Sequence, residues 1–204
     1  MHVLAFHNRI REKVAIGDLE GFDSASDMRQ LTWSPTLEES ATLWAEQCRG
    51  NESDNCRKIP QFPNVGQNVW TKCSPSTYPE LPTILDELFS SKEGVTSEMI
   101  KVYEKDMKID HKSHRLFTQI IWANTYRLGC GVVTYESVNK TPIILCTAFV
   151  CNYAPAGNVV NKPVYLPGTP GRNCPDLTAV RKSILTGRPY SVYHHLLADD
   201  CNIH

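Results

Sequence analysis

The chain has 204 residues, 41% of them apolar and 21% charged, an ordinary balance for a folded soluble protein. Lys and Arg number 21 against 22 Asp and Glu, a net charge of -1, which argues against nucleic acid as a main partner because phosphate binding needs a positive excess. No apolar run approaches the ~20 residues that span a bilayer, so membrane insertion is excluded too.

Val3, Phe6, Ile10 and Val14 recur at helical spacing and predict an amphipathic helix over 3–16, ended by Gly17 and Gly21. Ser34-Pro35 supplies an N-cap and a proline for the first turn of a second helix, with Leu37, Ala41, Trp44 and Cys48 on one face. Residues 50–58 are polar and read as a surface loop. A short apolar run at 68–71 reads as a strand, and the proline-rich stretch 71–82 as an exposed loop. Residues 83–92 look helical. Residues 115–124 fit either a helix or a buried strand. Runs rich in β-branched and aromatic residues at 128–135 and 143–153, separated by a polar segment, predict a β-hairpin. After Pro155 proline and glycine dominate up to Pro175, and a polar tail runs to His204. Helices first, a hairpin late and helices between predict an α+β sandwich.

Eight cysteines punctuate this pattern: Cys48, Cys56, Cys73, Cys130, Cys146, Cys151, Cys174 and Cys201. An even set without a zinc-type CxxC pair reads as the disulfide framework of a secreted protein. Cys174 and Cys201 bracket the tail and are placed to pin it. Two glycosylation sequons, at Asn51 and Asn139, agree with an extracellular setting, and Asn139 would sit at the hairpin tip. The sequence opens at Met1-His2 directly on a helical pattern, as expected where a leader has been removed.

Two longer motifs go further. Phe117-Thr118-Gln119-Ile120-Ile121-Trp122-Ala123-Asn124-Thr125, followed by Gly129-Cys130-Gly131, resembles the first signature of the CAP superfamily of cysteine-rich secretory, antigen-five and pathogenesis-related proteins. Cys151-Asn152-Tyr153-Ala154-Pro155-Ala156-Gly157-Asn158 is similar to the second. His7-Asn8 with Arg11, Trp44-Ala45-Glu46-Gln47-Cys48 and Gly66-Gln67-Asn68 match further landmarks in the expected order, and the stretch from Met28 to Trp33 is similar to the venom-allergen (antigen-five) branch of arthropods. The resemblance implies a three-layer α-β-α sandwich over 1–165, a C-terminal extension at 166–204 packed on it, and a disulfide between Cys130 and Cys151.

Many members of that family are expected to gather two His and two Glu in a central cleft able to hold a divalent metal. Carried over position by position, Leu116 stands where one His belongs and Ser53 or Asp54 where the other does. Gln67 replaces the first Glu, and Glu87 alone is kept. The resemblance therefore implies a degenerate tetrad of Ser53, Gln67, Glu87 and Leu116, with no metal and no cofactor. His111 and His114 lie close in sequence. Their ordinary reading is two solvated side chains in a polar loop, and His194-His195 in the tail reads the same way. No Gly-x-Ser-x-Gly is present, and Glu87 alone gives no mechanism. Arg49-Gly50-Asn51 lacks the carboxylate of an integrin-type motif.

The expected function is thus a secreted, antigen-five-like salivary or venom monomer that is not an enzyme. It would act by binding a small hydrophobic ligand (a lipid, eicosanoid or sterol) or a host protein. The loop 73–82 and the apolar face of 84–89 are the candidate pocket lining. The alternative is a metal-dependent hydrolase or redox site built on His111, His114 and Glu87.

Overall fold

The computed structural model describes residues 2–104, 108–109, 112–137 and 143–174. Helix α1 (His2–Ile16) leads into strand β1 (Thr32–Trp33) and helix α2 (Pro35–Ala45), then strand β2 (Gly66–Ser74), helix α3 (Leu81–Ser90) and the short helix α4 (Ser97–Lys101). A two-residue ladder, β3 (Lys108–Ile109) with β4 (Lys112–Ser113), precedes helix α5 (Arg115–Ile120) and the long hairpin strands β5 (Arg127–Ser137) and β6 (Ile144–Ala154). The main sheet has the order β1-β5-β6-β2, with β1 parallel to β5 and the other pairs antiparallel.

Local chemistry explains the boundaries. The Ser34 side chain accepts a hydrogen bond from the Leu37 N–H, and Pro35 fills the first helical position, where its missing N–H costs nothing. At the other end of α1 the chain leaves the helix through Gly17 at φ +76°, a left-handed conformation that a side chain would disfavour. Alternation along the strands divides the core. Val69, Ala148 and Val150 meet Ala41 and Ala45 of α2 on one face. Leu128, Phe149 and Tyr153 meet Val3 of α1 and Ile84, Leu85 and Leu88 of α3 on the other. The fold is a three-layer α-β-α sandwich. Gly129 and Gly131 set the spacing on the α2 side, because a Cβ at Gly131 would stand 2.5 Å from Thr42 Cα and one at Gly129 2.1 Å from the Glu38 nitrogen.

Several expectations change in detail. The ambiguous 115–124 segment is helical only through Ile120. The strand expected at 68–71 runs nine residues, Gly66–Ser74, and takes the start of the presumed loop; its outer half is half-exposed at the sheet edge, so polar Thr71 and Lys72 hid it. Cys48 does not share the α2 face. It lies beyond the helix end at φ +54°, exposed, and Ala45 is the buried neighbour instead.

Cys73 joins Cys146 and Cys130 joins Cys151, each pair directly opposed across neighbouring strands. Cys174 is also disulfide-bonded. The expected full oxidation is corrected at Cys48 and Cys56: both are free and exposed, and Cys48 Sγ turns instead to Glu46 O at 3.5 Å. Residues 166–174 lie against the segment after α1: the Ser26 N–H donates to Leu166 O at 2.7 Å and the Asn173 N–H to Ser26 O at 2.9 Å. Asn139, His111, His194, His195, Cys201 and the tail from 175 fall outside the described residues.

Two polar side chains of α1 enter the core. Arg11, 1% exposed, donates to the carbonyls of Arg29, Ile120, Trp122, Ala123 and Thr125. Burial lowers its pKa to about 9, so it stays charged at neutral pH. His7 is fully buried. Its Nδ1 sits 2.8 Å from Val3 O and must donate there, so Nε2 accepts from the Tyr153 hydroxyl at 2.9 Å. That hydroxyl in turn accepts from Asn68 Nδ2 at 3.1 Å.

Removing the Arg11 donors orphans carbonyls on two segments, at Arg29 and from Ile120 to Thr125, so Arg11→Met should cost about 3–5 kcal/mol in urea unfolding. Desolvation holds the folded pKa of His7 down at about 4, against an unfolded value of 6.5. Between those values only the unfolded chain takes up the proton, so stability is full above about pH 6.5 and falls as pH drops toward 4. The loss attributable to His7 should reach about 3 kcal/mol. A His7→Gln chain, measured across the same pH series, should lose that part of the slope.

Candidate functional site

Of the four positions that the family resemblance assigns to a tetrad, Gln67 and Glu87 have side chains committed to other bonds. Gln67, buried, lies opposite Asn152 in the β2–β6 register. Its Oε1 accepts from the Asp54 N–H at 2.7 Å and its Nε2 donates to Asn152 Oδ1 at 3.0 Å. Asn152 then donates to Leu37 O and Ser40 Oγ, which puts this chain of amides on the α2 side of the sheet. Glu87 lies on the far side. It projects from α3, about one-third exposed, and pairs with Lys72 Nζ of β2. Five residues separate Lys72 from Gln67 along one strand, an odd number, so the two side chains leave opposite faces.

Leu116 is half-buried against the cluster that holds Ile84, Leu85 and Leu88, and its carbonyl accepts from Asn68 Nδ2 at 2.9 Å. Ser53 is exposed in the loop after α2, beside Asp54, whose Oδ1 takes the Cys56 N–H at 2.7 Å. Gln67 and the Ser53-Asp54 loop are thus brought together, while Glu87 stands apart from both. Among the described residues no group of three or more His, Cys, Asp or Glu could hold a metal ion.

His114 is not solvated, contrary to its reading from the sequence. Only 1% exposed, it packs at the start of α5 with Nδ1 3.4 Å from Ser91 O, while Nε2 has no partner among the described residues. The turn of chain at 114 that begins α5 carries the ring inward, and the polar residues before it gave no sign of this. The expected pocket lining changes as well. Ile84, Leu85 and Leu88 are 0%, 7% and 1% exposed, so the apolar face of α3 is packed core. The loop behind it is tied down where the Thr147 hydroxyl donates to Pro79 O at 2.8 Å.

Sequence reasoning missed how the signature residues meet. Gln119 Oε1 accepts from the Gly157 N–H at 3.0 Å, and its Nε2 donates to Thr125 Oγ1 at 3.4 Å. The Thr125 hydroxyl donates to Pro155 O at 2.9 Å. A Cβ on Gly66 would fall 2.0 Å from Gln119 Oε1, and one on Gly157 2.6 Å from Nε2, so both positions need glycine to seat this amide. Thr118 and Asn158 close the same turn, Oγ1 to Oδ1 at 2.7 Å. Motifs up to about ninety residues apart therefore form one polar network around the turn at 155–158.

The loop from 46 to 58 is held from both sides. Trp44 Nε1 donates to Glu52 O at 2.9 Å, and the Thr71 N–H donates to Asn51 Oδ1 at 2.7 Å. Asn51 is exposed, and its amide nitrogen has no hydrogen-bond partner among the described residues.

Comparison with known proteins agrees with this architecture. Residues 4–153 match the model of the cysteine-rich secretory protein family, CAP. "Venom allergen 5 2" of Polybia paulista is 35% identical over 170 residues, covering 78% of this chain and 75% of that protein. "Venom allergen 5" of Tityus serrulatus is 33% identical over 182 residues; the match takes in 86% of this chain but only 42% of that longer protein. Among solved structures, the crystal structure of NaASP2 with Zn2+ superposes with a TM-score of 0.65 at 21% identity, covering 87% of this chain and 90% of that one, a likeness of fold. With signatures, sandwich and relatives in agreement, the chain belongs to the CAP family, in its venom-allergen (antigen-five) branch.

Proposed function

We propose that this is a secreted CAP protein that acts by binding, with the family's metal-binding cleft degenerate. One observation carries the reading: three of the four tetrad positions are either unable to ligate or committed elsewhere, and the fourth, Ser53, is an exposed hydroxyl. Leu116 has no donor atom. Gln67 is a neutral amide with both ends used in hydrogen bonds. Glu87 spends its charge on Lys72. A divalent ion would have to break these bonds and would find no imidazole in return. The bound species is a small hydrophobic ligand or a host protein, and glycans on Asn51 and Asn139 suit an extracellular role. The metal-enzyme alternative loses support from the same geometry, since His114 is buried against Ser91 and Glu87 is paired.

Purified protein from a eukaryotic host should contain far less than one equivalent of zinc or copper by elemental mass spectrometry. Solvent extraction should release a bound lipid. Stoichiometric metal lost in His114→Ala would reverse the reading. An empty protein that also ignores labelled fatty acids, sterols and leukotrienes would leave a host protein as the ligand.

A further inference from the structure

The two outer edges of the main sheet end differently. The β2 edge is covered: the Thr71 N–H donates to Asn51 Oδ1 at 2.7 Å, the Thr71 hydroxyl donates to Gly50 O at 2.8 Å, and Val65 O, just before the strand, receives Arg57 Nε at 2.6 Å. On the opposite side β1 has only two residues and pairs with Arg127 and Leu128 alone. The chain then leaves the sheet at Ser34, the N-cap of α2, whose N–H donates to Leu128 O at 2.8 Å.

Backbone groups point alternately to either side of a strand. The carbonyls of Tyr126 and Leu128 face β1, so those of Cys130, Val132, Thr134 and Glu136 face the same way, past the point where β1 ends. Among the described residues no hydrogen bond meets them on that side. Val132 is 43% exposed, and Thr134 and Glu136 are exposed as well. The stretch holds no proline, and its register with β6 runs without a bulge, so its shape suits a further strand.

One wall of this edge is acidic. Glu38, Thr42 and Glu46 recur every fourth residue on α2, and the row overhangs the edge: Glu38 accepts from Trp33 Nε1 of β1 at 2.6 Å, and a Cβ on Gly131 would meet Thr42 Cα at 2.5 Å. Glu38 and Glu46 are exposed, and neither has an ion-pair partner among the described residues. Glu136 adds a third carboxylate from β5 itself. The cation of the strand, Arg127, stays at the covered end, over the Tyr126 ring at 5.3 Å. The other wall is apolar at Val132, which shares the sheet face of Cys130, away from α2. A second copy laid on this edge would bring two such sets of carboxylates together, so like charge opposes self-pairing.

We propose that the β5 edge from Cys130 to Glu136 docks an extended segment of a partner protein, about six residues long, that alternates basic and apolar side chains and adds a strand to the sheet. The proposal rests on the binding reading above, in its host-protein form.

The full chain is titrated with a fluorescent, end-capped hexapeptide alternating lysine and valine, read by anisotropy and by amide NMR. The Val132, Thr134 and Glu136 amides should shift and gain protection from exchange. A glutamate–valine peptide should bind about tenfold more weakly, and Glu46→Lys should weaken the lysine–valine peptide about fivefold. That variant keeps the fold, because Glu46 is exposed and a cation suits the C-terminal end of α2. Methylating the peptide's backbone nitrogens should abolish binding, since its charge is kept and its strand donors are lost. Equal binding of the two peptides, undiminished binding of the methylated one, or shifts confined to other surfaces would overturn the site. So would a concentration-dependent dimer that protects the same three amides, with a second copy as occupant, or their protection in the free dilute chain, with the edge covered by the chain itself. In each of these cases a lipid extracted from the protein would still stand as its ligand.

Discussion

A single buried cation holds this fold in register. Arg11 reaches from the middle of α1 to five carbonyl oxygens, one in the segment before β1 and four in the stretch from Ile120 to Thr125. A guanidinium is the one side chain with enough fixed donors to satisfy so many acceptors at once. The oxygens it binds belong to the last residue of α5 and to backbone that is neither helix nor strand, where unpaired carbonyls in the core would each cost on the order of 1–3 kcal/mol. The charge is tolerated because those dipoles replace its water.

The consequences run outward from that clamp. Fixing residues 120–125 positions Gln119 and Thr125, and these set the turn at 155–158 through Gly157 and Pro155. A Cβ on Gly66 would push the Gln119 amide from its place, so glycine starts β2. His7, one turn before Arg11, extends the connection to β6 and β2 through Tyr153 and Asn68. The landmarks that mark the family are therefore contacts of one network, and losing one would leave buried donors or acceptors unpaired on the others.

This explains what the sequence could and could not reveal. Periodicity exposed α1, α2 and the hairpin because each buries a regular face, and Ser34-Pro35 announced its helix by capping chemistry that operates locally. β2 was half hidden, since an edge strand with a half-exposed outer end needs no apolar alternation there. His7 and Arg11 read as part of a motif, not as core, because burial of a polar side chain depends on acceptors far away in the chain. His114 was misjudged for the same reason: nothing in Asp110-His111-Lys112-Ser113-His114 signals that α5 folds the last ring inward against Ser91. Ile84, Leu85 and Leu88 could have lined a pocket or filled a core, and only the packing of α3 on the sheet separates the two.

The cleft can be understood as a problem in charge. A tetrad of two imidazoles and two carboxylates is stable around a divalent ion and poorly balanced without one, since carboxylates brought together in a partly dry site repel. Removing the imidazoles alone would have left that repulsion unrelieved. At the two positions that the family resemblance assigns to carboxylates, Gln67 is satisfied by a backbone N–H and by Asn152, and Glu87 has Lys72 as its counterion. Neither side chain is left without a partner.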